Sequence, residues 1–167
     1  MSDAPNTSPA FMQTMGILGS PVELTNQVCT PDNPGTTPVI AYDTTGSYSQ
    51  GNGALVEMVD IQLTGTTANT TLLMFYKLLD ETTPKWRKAA QRAIASVTYS
   101  STVELPSYKI PLKDILFPVP AAGAGTSLQQ FQGLRINSSL RGIQWGFALT
   151  VTAGTAPIIV TLYGGEY

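Results

Sequence analysis

The side chains that do most of the chemistry in proteins are scarce in this chain. Histidine is absent, which removes Ser-His-Asp and Cys-His nucleophilic catalysis, HExxH zinc sites, facial-triad iron sites and the commonest general base. Asp80 and Glu81 are the only adjacent acids. A carboxylate pair can drive glycoside hydrolysis, but neighbours in sequence rarely flank one bond from opposite sides, so they read as a charged turn ending an apolar strand. Cys29 is the only cysteine, which leaves no intrachain disulfide, no thiolate zinc site and no CxxC redox pair. Gly51 and Gly53 are not followed by GK[ST], and GAGTSL from Gly123 lacks the third glycine of a dinucleotide cradle. Asp43 to Gly53 supplies one acid where an EF-hand loop needs several. The expectation is a protein that is not an enzyme, with no catalytic, cofactor-binding or metal-ligating residues. Asn6, Asn69 and Asn137 each begin an N-x-[ST] triplet, which a chain rich in Thr and Ser produces by chance.

The elements that would position any binding residue read as strands. Residues 1–20 carry Pro5, Pro9, Gly16 and Gly19 among small polar residues, with Phe11, Met12, Met15, Ile17 and Leu18 as an apolar group. They read as an extended arm that orders against a neighbour. TPDNPGTTP (30–38) and GSYSQGNG (46–53) are turn chemistry, bracketing short extended segments at 22–28 and 39–42. In residues 54–64, Val59, Ile61 and Leu63 alternate with polar residues, and the out-of-phase start predicts a bulge near Met58. TTLLMFYKLL (70–79) is apolar on both faces, a central strand or a buried helix. Pro84 followed by Trp86, Ala90, Ala93, Ile94 and Val97 fits one short helix. Residues 97–103 then read as a strand, the Pro-rich stretch 108–119 as edge or loop, and 128–136 as a short strand or a turn of helix. Ile143, Trp145, Phe147, Leu149 and Val151 alternate strictly, as do Ile158, Val160 and Leu162 after TAGTA, which predicts a C-terminal hairpin in the middle of the core. The sum is all-β: a jelly-roll-like antiparallel β-sandwich with one short helix, an extended arm (1–20) and a single domain (21–167).

Composition agrees with a binding or assembling role. The 167 residues suffice for one core. Charged residues make up only 12% against 43% hydrophobic, so Thr, Ser, Asn, Gln and Gly must cover much of the surface. A net charge of −2 gives no basic stripe for nucleic acid. The sequence shows neither a secretion signal nor an apolar run long enough to span a bilayer; assembly in the cytosol is expected. Acids dominate up to Lys77, and the basic residues then bunch in Lys85, Arg87, Lys88 and Arg92, a solvated face or a patch for an acidic partner surface. Trp145 sits in the most regular apolar face and reads as core. Trp86, beside Lys85 and Arg87, reads either as core or as an exposed interface anchor.

The polar, Pro-interrupted arm, the Thr-, Gly- and Ala-rich loops and the C-terminal IQWGFALTV…PIIVTLYGGEY resemble small virion proteins of tailed bacteriophages, in particular head decoration (cement) proteins built on a jelly roll. The resemblance covers the C-terminal third and the overall character, without a diagnostic motif. It implies a homotrimer on the capsid surface of the virion, made in the host cytoplasm, that ties neighbouring major capsid subunits together and needs no cofactor, nucleic acid or membrane. On that reading Phe11, Met12, Ile17 and Leu18 anchor the arm, and Trp86, Arg87 and Arg92 are surface contacts. The rival expectation is a receptor- or carbohydrate-binding β-sandwich of a phage tail or fibre, with exposed aromatics at one end. A self-assembling capsid subunit and a carboxylate-dependent hydrolase stand behind these two.

Overall fold

The computed structural model describes residues 14–43, 54–79, 81–102, 104–111, 134–136 and 143–166. Among these residues nine strands follow in order: β1 (Thr14–Leu24), β2 (Val39–Asp43), β3 (Ala54–Leu63), β4 (Thr70–Leu78), β5 (Arg87–Ile94), β6 (Ser107–Pro111), β7 (Leu134–Ile136), β8 (Ile143–Leu149) and β9 (Ile158–Glu166). They form two antiparallel sheets. The first has the order β1-β9-β3-β6, with β7 pairing β3 as well, and the second the order β2-β8-β4-β5. The pairing is nested: β1 with β9, β2 with β8, β3 with β6 and β4 with β5, after which β9 also joins β3 and β8 joins β4.

Alternation decides which side of each strand is buried. Leu18, Val22 and Leu24 of β1, Val59, Ile61 and Leu63 of β3 and Ile158, Val160 and Leu162 of β9 share one core with Leu72 and Met74 of β4 and Trp145, Phe147 and Leu149 of β8. That shared core makes the two sheets a β-sandwich. The bulge expected near Met58 falls between Val56 and Met58. The doubly apolar β4 is a central strand, flanked by β8 and β5. Its Leu73 and Phe75 point away from the main core into a second apolar cluster with Cys29 and Ala148, against which Trp86 packs.

Three local expectations are corrected. No helix occurs among the described residues, and the stretch expected to hold one forms β5. The two buried residues there, Ala90 and Ile94, are four apart, a spacing that fits one helix face and one strand face alike; pairing along β4 selects the strand. Of residues 97–103, expected to be a strand, the described ones (97–102) carry only a single bridge, between Val97 and Thr67. β8 and β9 are not a hairpin, since they lie in different sheets. Their alternation is real, but Trp145, Phe147 and Leu149 meet Ile158, Val160 and Leu162 across the core rather than side by side within one ladder.

Candidate functional site

The structure separates the arm candidates. Ile17 and Leu18 are neighbours in β1 and so face opposite ways. Ile17, 52% exposed, lies on the outer face of the first sheet opposite Tyr163, whereas Leu18, 3% exposed, serves the protein's own core opposite Leu162. Residues 14–20 of the expected arm are thus the start of a paired strand. Phe11 and Met12 lie outside the described residues.

Trp86, Arg87 and Arg92 fall together on the β4–β5 ribbon. Trp86 is half-buried: its ring carries the Lys77 ammonium 4.7 Å from the centroid, a cation–π contact, and it packs on the second apolar cluster. It reaches the outer face of β8 because that position is a glycine. A Cβ on Gly146 would stand 2.9 Å from the Trp86 Cη2 and 3.1 Å from the Val39 carbonyl oxygen. Trp86 is thus partly packed on the second apolar cluster and partly open to solvent. Arg87 is paired with Glu81, its Nη1 2.8 Å from Oε1 and donating to Oε2 at 2.9 Å. This partly exposed pair uses one of the two adjacent acids; Asp80 lies outside the described residues. Arg92 is exposed and stands opposite Leu72 in the ladder.

Beside Trp86 opens a cleft of about 380 Å³, bounded by Asp32, Asn33 and Gly35 of the connection between β1 and β2 and by Lys77, Lys85 and Trp86 of the ribbon. The turns that build its far wall follow from the Pro, Asn and Gly of residues 30–36: Asn33 N–H donates to Thr30 O, and Thr37 N–H to Pro34 O. The Thr30 hydroxyl, then the backbone N–H groups of Asp32 and Asn33, hold the Asp32 carboxyl below its usual range. The cleft thus combines one fixed anion with two ammonium groups and an aromatic edge. That suits contact with a polar, charged segment. It contains no nucleophile with a base beside it. The turn and the basic cluster are each legible in the sequence; nothing in either signals that residues 32–36 fold against residues 77 and 84–86.

Two further ionisable groups, Asp60 and Cys29, have structural uses. Asp60, 1% exposed, accepts hydrogen bonds from Gln62 Nε2 (2.9 Å) and Ser107 Oγ (3.1 Å), which satisfies a buried carboxylate. Among the described residues no three His, Cys, Asp or Glu side chains gather as a metal site would need. Cys29 is buried, and desolvation pushes its thiol up from the ordinary value. Native Cys29 is therefore expected to react with iodoacetamide at pH 8 at least about tenfold more slowly than in urea-unfolded protein, read by mass spectrometry. Because the folded value is raised, the associated stability is held at neutral pH and declines as pH rises through the thiol range. Equal labelling rates would mean that the second apolar cluster is open.

Compared with known proteins, the chain matches no family model, no curated protein and no solved structure.

Proposed function

We propose that the chain is a jelly roll acting as a non-enzymatic structural protein of a virion, which binds the outer surface of a phage capsid as a homotrimer and stabilises it by bridging major capsid subunits. The observation that carries the fold part is the nested strand order. With the three-residue β7 set aside, eight strands pair first with last, second with seventh, third with sixth and fourth with fifth. That order supports a double Greek key wrapped into two sheets, an architecture used by viral capsid proteins, lectins and cupins. The sequence narrows these uses: cupin metal chemistry relies on histidine, and this chain has none. Lectin-like stacking needs an aromatic face open to solvent. Here Trp145 is core and Trp86 is engaged by Lys77 and the second apolar cluster, which leaves Tyr99, 54% exposed, as a single exposed aromatic among the described residues rather than a stacking face. Assembly is the use that draws on what the chain does have: a surface poor in charge, an exposed Ile17 on the first sheet and a basic ribbon on the second.

Light scattering on the purified protein tests the proposal first. The expected mass is three times 17.8 kDa, and three copies would convert modest contacts into tight attachment. A monomer that stays monomeric at micromolar concentration would remove the trimer, and with it the avidity on which capsid bridging relies. Closed shells would replace decoration by capsid building.

A further inference from the structure

With the three-residue β7 set aside, the four strands that end the two sheets are not alike. β1 and β2 close one side of the sandwich together, with Gly19 of β1 set directly against the Ala41 carbonyl of β2. β6 is five residues long and ends in Pro111, with Pro106 just before it; proline has no N–H to offer a new strand. β5 runs for eight residues without proline, pairs on one side with β4 and ends the second sheet on the other. Five of its eight residues are exposed, and among the described residues none of the loop or turn backbone hydrogen bonds reaches the stretch from Lys88 to Ile94.

This long edge is also where the positive charge gathers. Residues 77–92 hold five of the chain's nine basic residues against two acids, a net +3 in a chain whose total is −2. The cations lie on both faces of the ribbon. Lys88 stands opposite Phe75, in the row that points away from the core, and Arg92 stands opposite Leu72, in the row that points toward it. Lys88 Nζ donates to Gln91 Oε1 at 3.2 Å, and Arg92 makes no ion pair among the described residues.

Lysine on an edge strand is a known guard against pairing with another copy. The same logic applies here: pairing β5 with a second copy of itself would bring two clusters of positive charge together, and like charges that meet across strands destabilise. What the edge rejects in a copy it favours in a strand of opposite sign. We infer that the outer edge of β5 is a docking edge for an extended, carboxylate-rich segment of a partner protein. Main-chain hydrogen bonds to β5 supply affinity, and Lys88 and Arg92 select carboxylates on the two faces of the incoming strand. At the Arg87 end the line of the strand runs into the cleft, where Lys85 and the Trp86 edge receive one further side chain. The inference stands on the fold and the charge pattern and holds whether or not the partner is a capsid.

The probe is a fluorescein-labelled peptide of Val, Thr and Glu with carboxylates on both faces, titrated with the full chain by anisotropy. Two comparison peptides accompany it: one with Lys in place of Glu, and one of unchanged charge with alternate backbone amides N-methylated. Saturable binding of the acidic peptide is expected, weakening about tenfold between about 50 and about 300 mM salt, with no binding of the Lys peptide. N-methylation and the double variant Lys88→Glu/Arg92→Glu are each expected to weaken binding by about tenfold or more, while the variant keeps the wild-type melting temperature because both side chains are exposed. Bound peptide is also expected to slow amide exchange in residues 88–94. If the N-methylated peptide binds as well as its parent, charge alone is at work and the docking edge is wrong. If the acidic peptide does not bind the folded protein, the cations only guard the edge and the inference falls. Either result leaves the light-scattering mass, and so the proposal of a trimer, untouched.

Discussion

Replacing Phe147 with Ala is expected to lower stability by about 3–5 kcal/mol, while the same change at Phe75 costs about 2–3 kcal/mol, although both rings are fully buried. They sit on opposite sides of the second sheet. Phe147, opposite Val39 in β2 and Met74 in β4, fills the space between the two sheets. Hydrogen-bonded ladders hold the walls of that space, so a cavity there stays open and keeps its full cost. Phe75 lies under Trp86 and Cys29, which belong to connections rather than strands, and such a cover can settle into the space a lost ring leaves. Urea unfolding of the two variants checks this. Against a total of about 5–15 kcal/mol for an ordinary domain, the Phe147 variant loses about a fifth or more of its stability, a fall of about 10 °C in melting temperature. Equal losses would show the second cluster to be as rigid as the first. A loss below about 1 kcal/mol for Phe147→Ala would contradict the sandwich core itself.

Those two rings also mark how far the sequence can be read. Phe147 lies in the strictest alternation of the chain, and its burial is plain from that pattern alone. The doubly apolar β4 announces a second buried face as well. What covers that face is not legible, because Cys29 and Trp86 come from connections far apart in the chain and meet there only through the order of the strands. Pairing is hidden for a related reason. Alternation reports which face of a strand is wet and says nothing of which strand lies beside it, so β8 and β9 read as a hairpin although they face each other across the core. The helix expected at 84–97 rests on spacing. Ala90 and Ile94 fit a strand and a helix equally, and Ala93, which completes the helical stripe on paper, is exposed in β5. The site inherits these limits. Trp86, Arg87 and Arg92 can be named from residue type and clustering, but neither the edge position of β5 nor the cleft formed with residues 32–36 follows from local pattern.

Gly19→Ala is expected to be the most damaging single change of its size. Two penalties coincide there. Gly19 has φ +68°, a left-handed conformation that costs a residue with a side chain about 1–2 kcal/mol, and it lies in the stretch where the register of β1 shifts between Leu18 and Val22. In addition, a Cβ on Gly19 would overlap the Ala41 carbonyl oxygen, with Ala41 C and Tyr42 Cα both 3.1 Å away. These are backbone atoms of β2, so no rotamer change relieves the clash; β1 must move off β2, and the side of the sandwich they close together opens. Gly35 supplies the control. Its φ is +55°, and a Cβ there would meet nothing within 4 Å, so Gly35→Ala bears the conformational cost alone, about 1 kcal/mol. The gap between the two variants in urea unfolding therefore measures the close approach of β1 to β2. It is expected to exceed about 2 kcal/mol, with faster amide exchange confined at first to residues 17–24 and 39–43. If the two alanines cost the same, the strands can part without loss, and the edge formed by β1 and β2 is as open to an incoming strand as that of β5.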